Sequence, residues 1–352
     1  DGAGAAGAVR MGYKPIFPTP CTVRKALQEY CDLTAQPKRP MLALLAHSAT
    51  DPTERDRLLH MLSKDGKAEF RHYVVDEQRS LLELLHDFPS ARPPLGDFLQ
   101  TVPRLQARLY TISSSPLAHP RHAHVTVSLV EDPRPRGQVH RGVASTYLSS
   151  LAPAVGDSAP AEIGTDPTSQ GAAKKLLQRA EPAHVLVTLK RSTFPQPPPK
   201  AALVLVGAGT GIAPLRAFWQ QRKVQKDGGY ELGPTYLFFG CRHAEQDFVY
   251  RREVEQMQRE GVLTEVFTAF SRDGPSKVYV QHRIKEHGDI IHSVLRAQKG
   301  YFFVCGGTAM GHDVLKAVEE ALAEREGCAP SDASNMVRSM QRTHHYVAEL
   351  WS

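Results

Sequence analysis

The residues with the clearest chemical meaning form a glycine-rich stretch, Val206-Gly207-Ala208-Gly209-Thr210-Gly211-Ile212-Ala213-Pro214. It follows a wholly apolar segment, Ala202–Val206, and precedes an amphipathic one. Glycines in such a turn let the backbone pass close to a diphosphate, whose charge the N-terminus of the next helix then stabilises. The pattern is G-x-G-x-G-x-A-P and not the G-x-G-x-x-G dinucleotide fingerprint. Taken alone it fits an ordinary tight β-to-α turn equally well. A second cluster, Ser271, Arg272, Lys277, Tyr279 and Gln281, follows a segment of strand character that ends at Phe270. Arg272 and Lys277 offer charge-assisted hydrogen bonds to a phosphate, Ser271 a hydroxyl donor and Tyr279 a face for an adenine. That combination favours NADPH over NADH, although the same residues in isolation are more often a solvated basic loop. Further upstream, the alternation in Arg108-Leu109-Tyr110-Thr111-Ile112-Ser113 directs Arg108, Tyr110 and Ile112 to one side and Leu109, Thr111 and Ser113 to the other. An Arg and a Tyr on one face suit a diphosphate and an aromatic ring system. Arg141-Gly142-Val143-Ala144-Ser145-Thr146 places small and hydroxyl residues at a helix start, a second anion-binding arrangement. A surface strand and a capped helix are the plain alternatives for these two segments.

These residues need elements to hold them. After Pro197-Pro198-Pro199 the sequence alternates strands (Ala202–Val206, Thr235–Phe239, Thr264–Ala269, Tyr301–Val304) with helices (Asp247–Glu260, Val278–His287, His312–Glu324). This predicts a doubly wound α/β domain whose strand ends present ligand groups. Short strands at Ala107–Ile112, His124–Val130 and Ala183–Leu189 point to a barrel or sandwich. Between them, residues 151–182 are rich in Ala, Pro, Gly, Ser and Asp, with one helical patch at Lys174–Arg179, and read as a surface insertion. Pro20 to Pro89 reads as helical, from Val23, Leu27 and Tyr30 at i, i+4, i+7 and from the clusters Leu42, Leu44, Leu45 and Leu81, Leu82, Leu84, Leu85.

Composition narrows the classes. A chain of 352 residues with 41% hydrophobic content can bury two or three cores. No run of about 18 apolar residues is available to span a bilayer. The five cysteines are scattered and lack a C-x-x-C pair, which argues against a disulfide framework and a structural zinc site and for a reducing compartment. The 16 histidines show no ligand pattern, so no metal is expected, and His344-His345 is expected on a solvated helix end. The net charge of +6 is dispersed among acidic residues, which disfavours nucleic acid and suits an acidic protein partner. The chain starts at Asp1 with a Gly/Ala-rich stretch and no Met, and is expected to be a piece of a longer protein.

Phe17-Pro-Thr-Pro-Cys-Thr, Pro103 to Ser115, Gly207 to Pro214, Phe239-Gly-Cys-Arg242, Ser271-Arg272, Lys277 to His282, Val304-Cys-Gly306 and Leu350-Trp351-Ser352 form an ordered series. Together they resemble the FAD/NADPH half of the diflavin reductases, closest to the branch that serves cytochromes P-450, with the reductase half of nitric oxide synthases next. The resemblance implies a multidomain chain. A tail at 1–12 precedes an α-helical connecting domain at 13–102 and a partial antiparallel β-barrel for FAD at 103–198, with its insertion at 151–182. An NADPH-binding doubly wound α/β domain of ferredoxin-NADP reductase type follows at 199–352. It implies FAD contacts from Arg108, Tyr110, Thr111, Ile112, Thr126 to Ser128, Gly142, Val143, Ala144 and Ser145. NADPH contacts are implied from Gly209, Thr210, Gly211, Ser271, Arg272, Lys277, Tyr279, Gln281 and Asp313. Trp351 would cover the flavin ring and move aside for nicotinamide, with Thr111, Cys305 and Glu349 around the hydride-transfer geometry.

Several positions depart from the family. Thr111 and Glu349 stand where Ser and Asp are usual, Gly307 where an Asp is usual, and Asp132 where an adenine-stacking Tyr is often found. The loop Thr308 to Asp313 is one residue shorter than is usual in the cytochrome reductases, and with Ser113–Pro116 and Ala217–Arg222 it lies nearer the nitric oxide synthase half. No Gly-Asp-His segment of the opening barrel strands is found. The implied function is hydride transfer from NADPH to FAD. Electrons would continue through FMN, held in a flavodoxin-like domain upstream, to a haem protein such as a cytochrome P-450. Implied localisation is cytoplasmic, at the cytosolic face of the endoplasmic reticulum through an N-terminal anchor in a cytochrome P-450-serving member. The alternatives are a nitric oxide synthase-like or sulfite reductase-like flavoprotein and, from another class, a non-catalytic nucleotide-binding fragment.

Overall fold

A computed structural model of the chain describes residues 17, 18, 20–151 and 184–351. The tail expected at 1–12, nearly all of the insertion at 151–182 with its Lys174–Arg179 patch, Ala183 and Ser352 lie outside the described residues. The chain divides into two compact units, Asp1–Arg108 with Val130–Gly142, and Leu109–Leu129 with Val143–Ser352.

The first unit is built from helices Arg39–Ser48, Pro52–Leu62, Leu81–Asp87 and Leu95–Thr101, with shorter turns at Val23–Lys25 and Lys67–Phe70 that continue as π-helical turns Ala26–Tyr30 and Arg71–Asp76. Local chemistry sets their starts. The Asp51 carboxylate accepts from Glu54 N (3.0 Å) ahead of Pro52, and Ser80 with Glu83 forms a reciprocal capping box. Met41, Leu42 and Leu45 meet Leu58, Met61, Leu81, Leu84 and Phe88 in one buried core. The buried Arg79 is paired with Glu77 (2.9 Å) and Asp87 and lies over the Tyr73 ring, so its charge is compensated. Strands β1 (Glu131–Pro133) and β2 (Val139–Arg141) form an antiparallel hairpin in this unit.

The second unit holds a five-stranded parallel sheet of β3 (Leu203–Ala208), β4 (Thr235–Cys241), β5 (Glu265–Phe270), β6 (Tyr301–Gly307) and β7 (Tyr346–Trp351), in the order β5-β4-β3-β6-β7. Successive residues of a strand point to opposite faces, and helices cover both. Val204, Val206, Phe238, Phe302 and Val304 pack on Ile284, Ile291, Val314, Val318 and Val337. Leu203, Leu205, Leu237, Phe239, Phe303 and Cys305 pack on Ile212, Leu215, Trp219, Val254 and Met257. The chain reverses its direction of strand addition between β3 and β6, which opens a crevice at their C-terminal ends.

Several expectations need correction. Residues 107–112, 124–130 and 184–189 run extended but join no ladder among the described residues. Ile112 and Val125 form a single bridge. A strand needs neighbours on its edges and a cover on its apolar side, and here Leu109, Leu186 and Leu189 are 72%, 97% and 82% exposed. Burial does not alternate along the first part of Arg108–Ser113, where Arg108 and Leu109 are both exposed and Tyr110 and Thr111 both half-buried, and only the exposed Ile112 and the buried Ser113 differ as the expected two faces would. The helix expected over Asp247–Glu260 is split into Ala244–Asp247 and Arg251–Arg259, since Tyr250 takes a left-handed conformation (φ 63°) between them. His344 and His345 lie in the turn between helix Pro330–Arg342 and β7, two elements that sequence reading did not identify. His345 stacks on Tyr301 and hydrogen-bonds the Gly300 carbonyl at 2.8 Å.

Candidate functional site

The parallel sheet brings five strand ends to one edge. After β3, Gly209 has φ +55° with open space where a side chain would project. Gly211, two residues on, is buried against β6. A Cβ there would overlap the Cys305 carbonyl oxygen and stand 2.7 Å from its carbon. The turn therefore runs tightly over the crevice where the sheet order reverses, and helix Ile212–Asp227 begins directly behind it. Thr210 is half-buried between the two glycines. This cradle fits the diphosphate of a dinucleotide, with backbone amides and a helix N-terminus facing it.

After β4 and β5, the backbone N–H of Ser271 donates to the Cys241 carbonyl (3.0 Å) and that of Arg272 to the Arg242 carbonyl (2.9 Å), which carries the ladder one step beyond the strands. Arg272, Lys277 and Tyr279 are exposed, Ser271 half-buried. Asp273, next in sequence, is engaged by Ala244 N–H (2.8 Å) and the His243 ring (2.7 Å), and these bonds hold its carboxyl below the usual carboxylate range. With Asp273 engaged in this way, the exposed Arg272 and Lys277 supply the cations of an edge suited to a phosphomonoester. The His243–Asp273 pair escaped sequence reading, yet part of a signal was present, since Asp273 directly follows the proposed phosphate-binding Arg272. Gln281 Nε2 donates to Asp313 (3.1 Å), while its Oε1 is buried without a hydrogen-bond partner among the described residues. An orphaned acceptor of that kind beside a cradle fits a site built to receive a ligand donor.

At the far side of the crevice, Cys305 on β6 lies opposite Glu349 on β7. Burial and then the Glu349 charge push the Cys305 thiol up to about 12, so it is a neutral thiol at physiological pH. Glu349 accepts from Thr193 Oγ1 (2.7 Å), Thr193 N (3.2 Å) and Ser192 Oγ (3.2 Å). Trp351 ends β7 and is 44% exposed, and its carbonyl accepts from Thr308 Oγ1 (3.1 Å). Cys305, Glu349 and Trp351 are thus brought together. Thr111 is half-buried, and among the described residues no hydrogen bond ties it to these three.

The residues expected at FAD divide between the two units. In the first, Arg108 reaches toward Asp32 (4.0 Å) and Gly142 N–H donates to the Val130 carbonyl (2.9 Å). In the second, Tyr110 is half-buried, Ile112 and Ser128 are exposed, and Thr126 Oγ1 meets Tyr250 Oη at 2.8 Å. Val143, Ala144 and the buried Ser145 open helix Val143–Leu151, where the Thr146 hydroxyl is buried without a hydrogen-bond partner among the described residues. A helix start with an unused hydroxyl fits an anionic group of FAD. Sequence reading missed the contacts of Arg216 and Tyr250 with Ser113, His124 and Thr126, 92 to 124 residues away, and those of Glu253 with Arg216, Trp219 and Gln220, 33 to 37 away, none of which leaves a local signal.

Two family models match the chain. The model described as FAD binding domain covers residues 8–147, and the one described as Oxidoreductase NAD-binding domain covers residues 205–316. The curated NADPH--cytochrome P450 reductases of Musca domestica and Drosophila melanogaster are each 35% identical over 343 residues, which is 96% of this chain and 47% of theirs. The protein of the same name from Cavia porcellus is 33% identical over 342 residues. The chain spans about half the length of the curated relatives it matches. The chain thus carries a segment that matches an FAD binding domain followed by one that matches an oxidoreductase NAD-binding domain, and over nearly its whole length it is similar to about half the length of the NADPH--cytochrome P450 reductases.

Proposed function

We propose that the chain transfers hydride from NADPH to FAD. The observation that carries this reading is the convergence of the Gly209–Gly211 cradle, the Ser271–Arg272 edge and the Cys305, Glu349, Trp351 group on one end of a parallel sheet. When bound, NADPH supplies the hydride and FAD accepts it. The protein contributes binding and orientation. Gly209–Gly211 and the following helix hold the dinucleotide diphosphate. Ser271, Arg272 and Lys277 bind the 2′-phosphate, with Tyr279 against the adenine and Gln281 and Asp313 beside them. Trp351 shields the flavin site from water until the nicotinamide takes its place. The neutral Cys305 thiol and the fixed Glu349 carboxylate set the polarity around the reacting carbon, with Thr111 as a further hydroxyl. Arg108, Tyr110, Thr111, Ile112, Thr126, Ser128 and Gly142 to Ser145 hold FAD.

The finer organisation belongs to the same proposal. It comprises a helical connecting domain at 13–102, an FAD barrel part at 103–198 and an NADPH domain at 199–352, with an FMN domain and a haem-protein acceptor as partners in the whole protein. Among the described residues no helix is long and apolar enough to cross a membrane, and any membrane contact at the endoplasmic reticulum is assigned to an anchor outside them. The test is anaerobic reduction of the FAD-loaded chain, followed by flavin bleaching with NADPH and with NADH. Rapid bleaching by NADPH, and a preference over NADH that drops at least tenfold in Arg272→Ala, is expected from the loss of charge-assisted phosphate bonds. Bound flavin that neither nucleotide bleaches would refute the reading and favour a non-catalytic nucleotide-binding chain.

A further inference from the structure

The flavin-side segment around residues 113–126 is held in an unusual way. It has a single bridge, Ile112 to Val125, and the bond from Ser113 N–H to the His124 carbonyl (2.7 Å) in place of a ladder. Besides bonds within the segment, such as His124 N–H to Ser114 Oγ (3.0 Å), it is attached through side chains of the dinucleotide domain. The Arg216 guanidinium donates to the Ser113 carbonyl (3.1 Å) and meets His124 Nδ1 (3.3 Å). Gln220 accepts from the buried Ser115 N–H (3.1 Å), and Thr126 bonds Tyr250 Oη (2.8 Å). Arg216 is itself fixed by Glu253 (2.7 Å) and by the Tyr250 ring, 4.5 Å from guanidinium to centroid. Glu253 is fixed in turn by Trp219 Nε1 (2.8 Å).

We propose that Arg216 and Tyr250 are positioning residues that set the distance between the flavin-side segment and the dinucleotide cradle. Arg216 is one turn into the helix that begins at the Gly209–Gly211 cradle, a rise of about 6 Å along a rigid element. One helix therefore carries the cradle at its start and the anchor of residues 113–126 on its next turn. Tyr250 holds a left-handed backbone (φ 63°), which aromatic residues rarely adopt and which persists where surrounding contacts over-determine it. Neither side chain needs to touch a cofactor. Hydride transfer requires reacting atoms about 3–3.5 Å apart, so a small shift of the segment changes the rate more than it changes binding.

This inference rests on the hydride-transfer reading. The test uses the FAD-loaded chain and stopped-flow anaerobic reduction by NADPH, with unlabelled and C4-deuterated cofactor. Tyr250→Phe keeps the ring under Arg216 and deletes the bond to Thr126. It is expected to slow reduction about two- to tenfold, the range for one hydrogen bond. Arg216→Met is expected to slow it on the order of tenfold to a hundredfold. In both, FAD content and the NADPH concentration at half-saturation stay within about twofold, and the deuterium isotope effect grows. Arg216→Met combined with Glu253→Gln removes the orphaned charge should the single variant fold poorly, and Tyr250→Phe decides the matter if neither folds. Unchanged reduction rates would overturn the proposal. So would a loss of rate that follows loss of FAD, since that is a structural role. Wild-type protein that holds FAD yet is not reduced by NADPH would overturn this proposal together with the function on which it rests.

Discussion

Two glycines of one turn should fail in opposite ways. Gly209 has φ +55° and nothing within 4 Å of where a Cβ would project. Gly209→Ala therefore meets only the cost of the left-handed backbone, about 1–2 kcal/mol. Gly211 has an ordinary helical φ of −62°, so alanine there meets no conformational penalty. Its Cβ would overlap the Cys305 carbonyl oxygen and lie 2.7 Å from the carbon and 3.3 Å from Gly306 N. A comfortable carbon–carbon contact is about 3.5 Å, so turn and strand must part by roughly 0.8 Å. The atoms in the way belong to the backbone of β6, which is laddered to β3 on one side and β7 on the other and cannot give locally. Overpacking of this sort costs about 3 kcal/mol or more. The expected outcome for Gly209→Ala is a fall in melting temperature of only a few degrees. Its dinucleotide affinity should fall at least tenfold, because the new methyl group points into the space the diphosphate needs. For Gly211→Ala the fall should be about 6–12 °C. Differential scanning calorimetry and titration of nucleotide binding on the same samples separate the two effects. A Gly211→Ala protein that melts within 1 °C of wild type, or below which Gly209→Ala melts, would refute this account of the turn.

Arg222 is buried, with its guanidinium pushed down to about 10 by burial, and donates to the Gly233 carbonyl (2.6 Å), Thr235 Oγ1 (2.6 Å) and the Ala201 carbonyl (2.5 Å). Arg222→Met fills the space but strands those acceptors, and urea unfolding should register a loss of about 2–4 kcal/mol. Burial lowers the pKa of His124 first, helped by His119, Arg216 and His122 and opposed by Glu253, so the native state binds this proton more weakly than the unfolded chain does. Its contribution to stability is thus complete above about pH 6.5 and is lost as pH falls through the lower native value. Urea midpoints between pH 5 and 8 should decline on the acid side, and His124→Asn should flatten that limb. Burial pushes the thiols of Cys241 and Cys305 up to about 12, so both stay protonated at pH 8. Iodoacetamide on native protein should leave them unlabelled while the partly exposed Cys21 and Cys328 react, as peptide mass spectrometry would read.

What was legible in the sequence follows from the range of the forces involved. β3 is apolar at every position from Leu203 to Val206 because both of its faces are buried, and a glycine turn and a helix follow at once. Strand, turn and helix are all written within twenty-five residues, so the element and its ligand chemistry can be read together. β7 escaped because Tyr346–Trp351 alternates only weakly, and its strand character comes from pairing with β6 rather than from propensity, whereas helix Pro330–Arg342 was legible in Ala333, Met336, Val337 and Met340 at i, i+3, i+4, i+7 and was passed over. The segments at 107–112, 124–130 and 184–189 err in the other direction. Alternation in Leu109–Ser113 or Val185–Leu189 is the same whether or not a neighbouring strand exists, so it shows a capacity for pairing and not the pairing itself. The contacts that attach residues 113–126 are of a third kind, joining positions 92 to 124 apart through single side chains such as Arg216 and Tyr250. Periodicity carries no trace of such a bond, because nothing in the neighbourhood of either residue must change to make it. The loops proposed to bind cofactors were therefore the readable elements, while contacts such as those of Arg216 and Tyr250 become visible only with the chain folded.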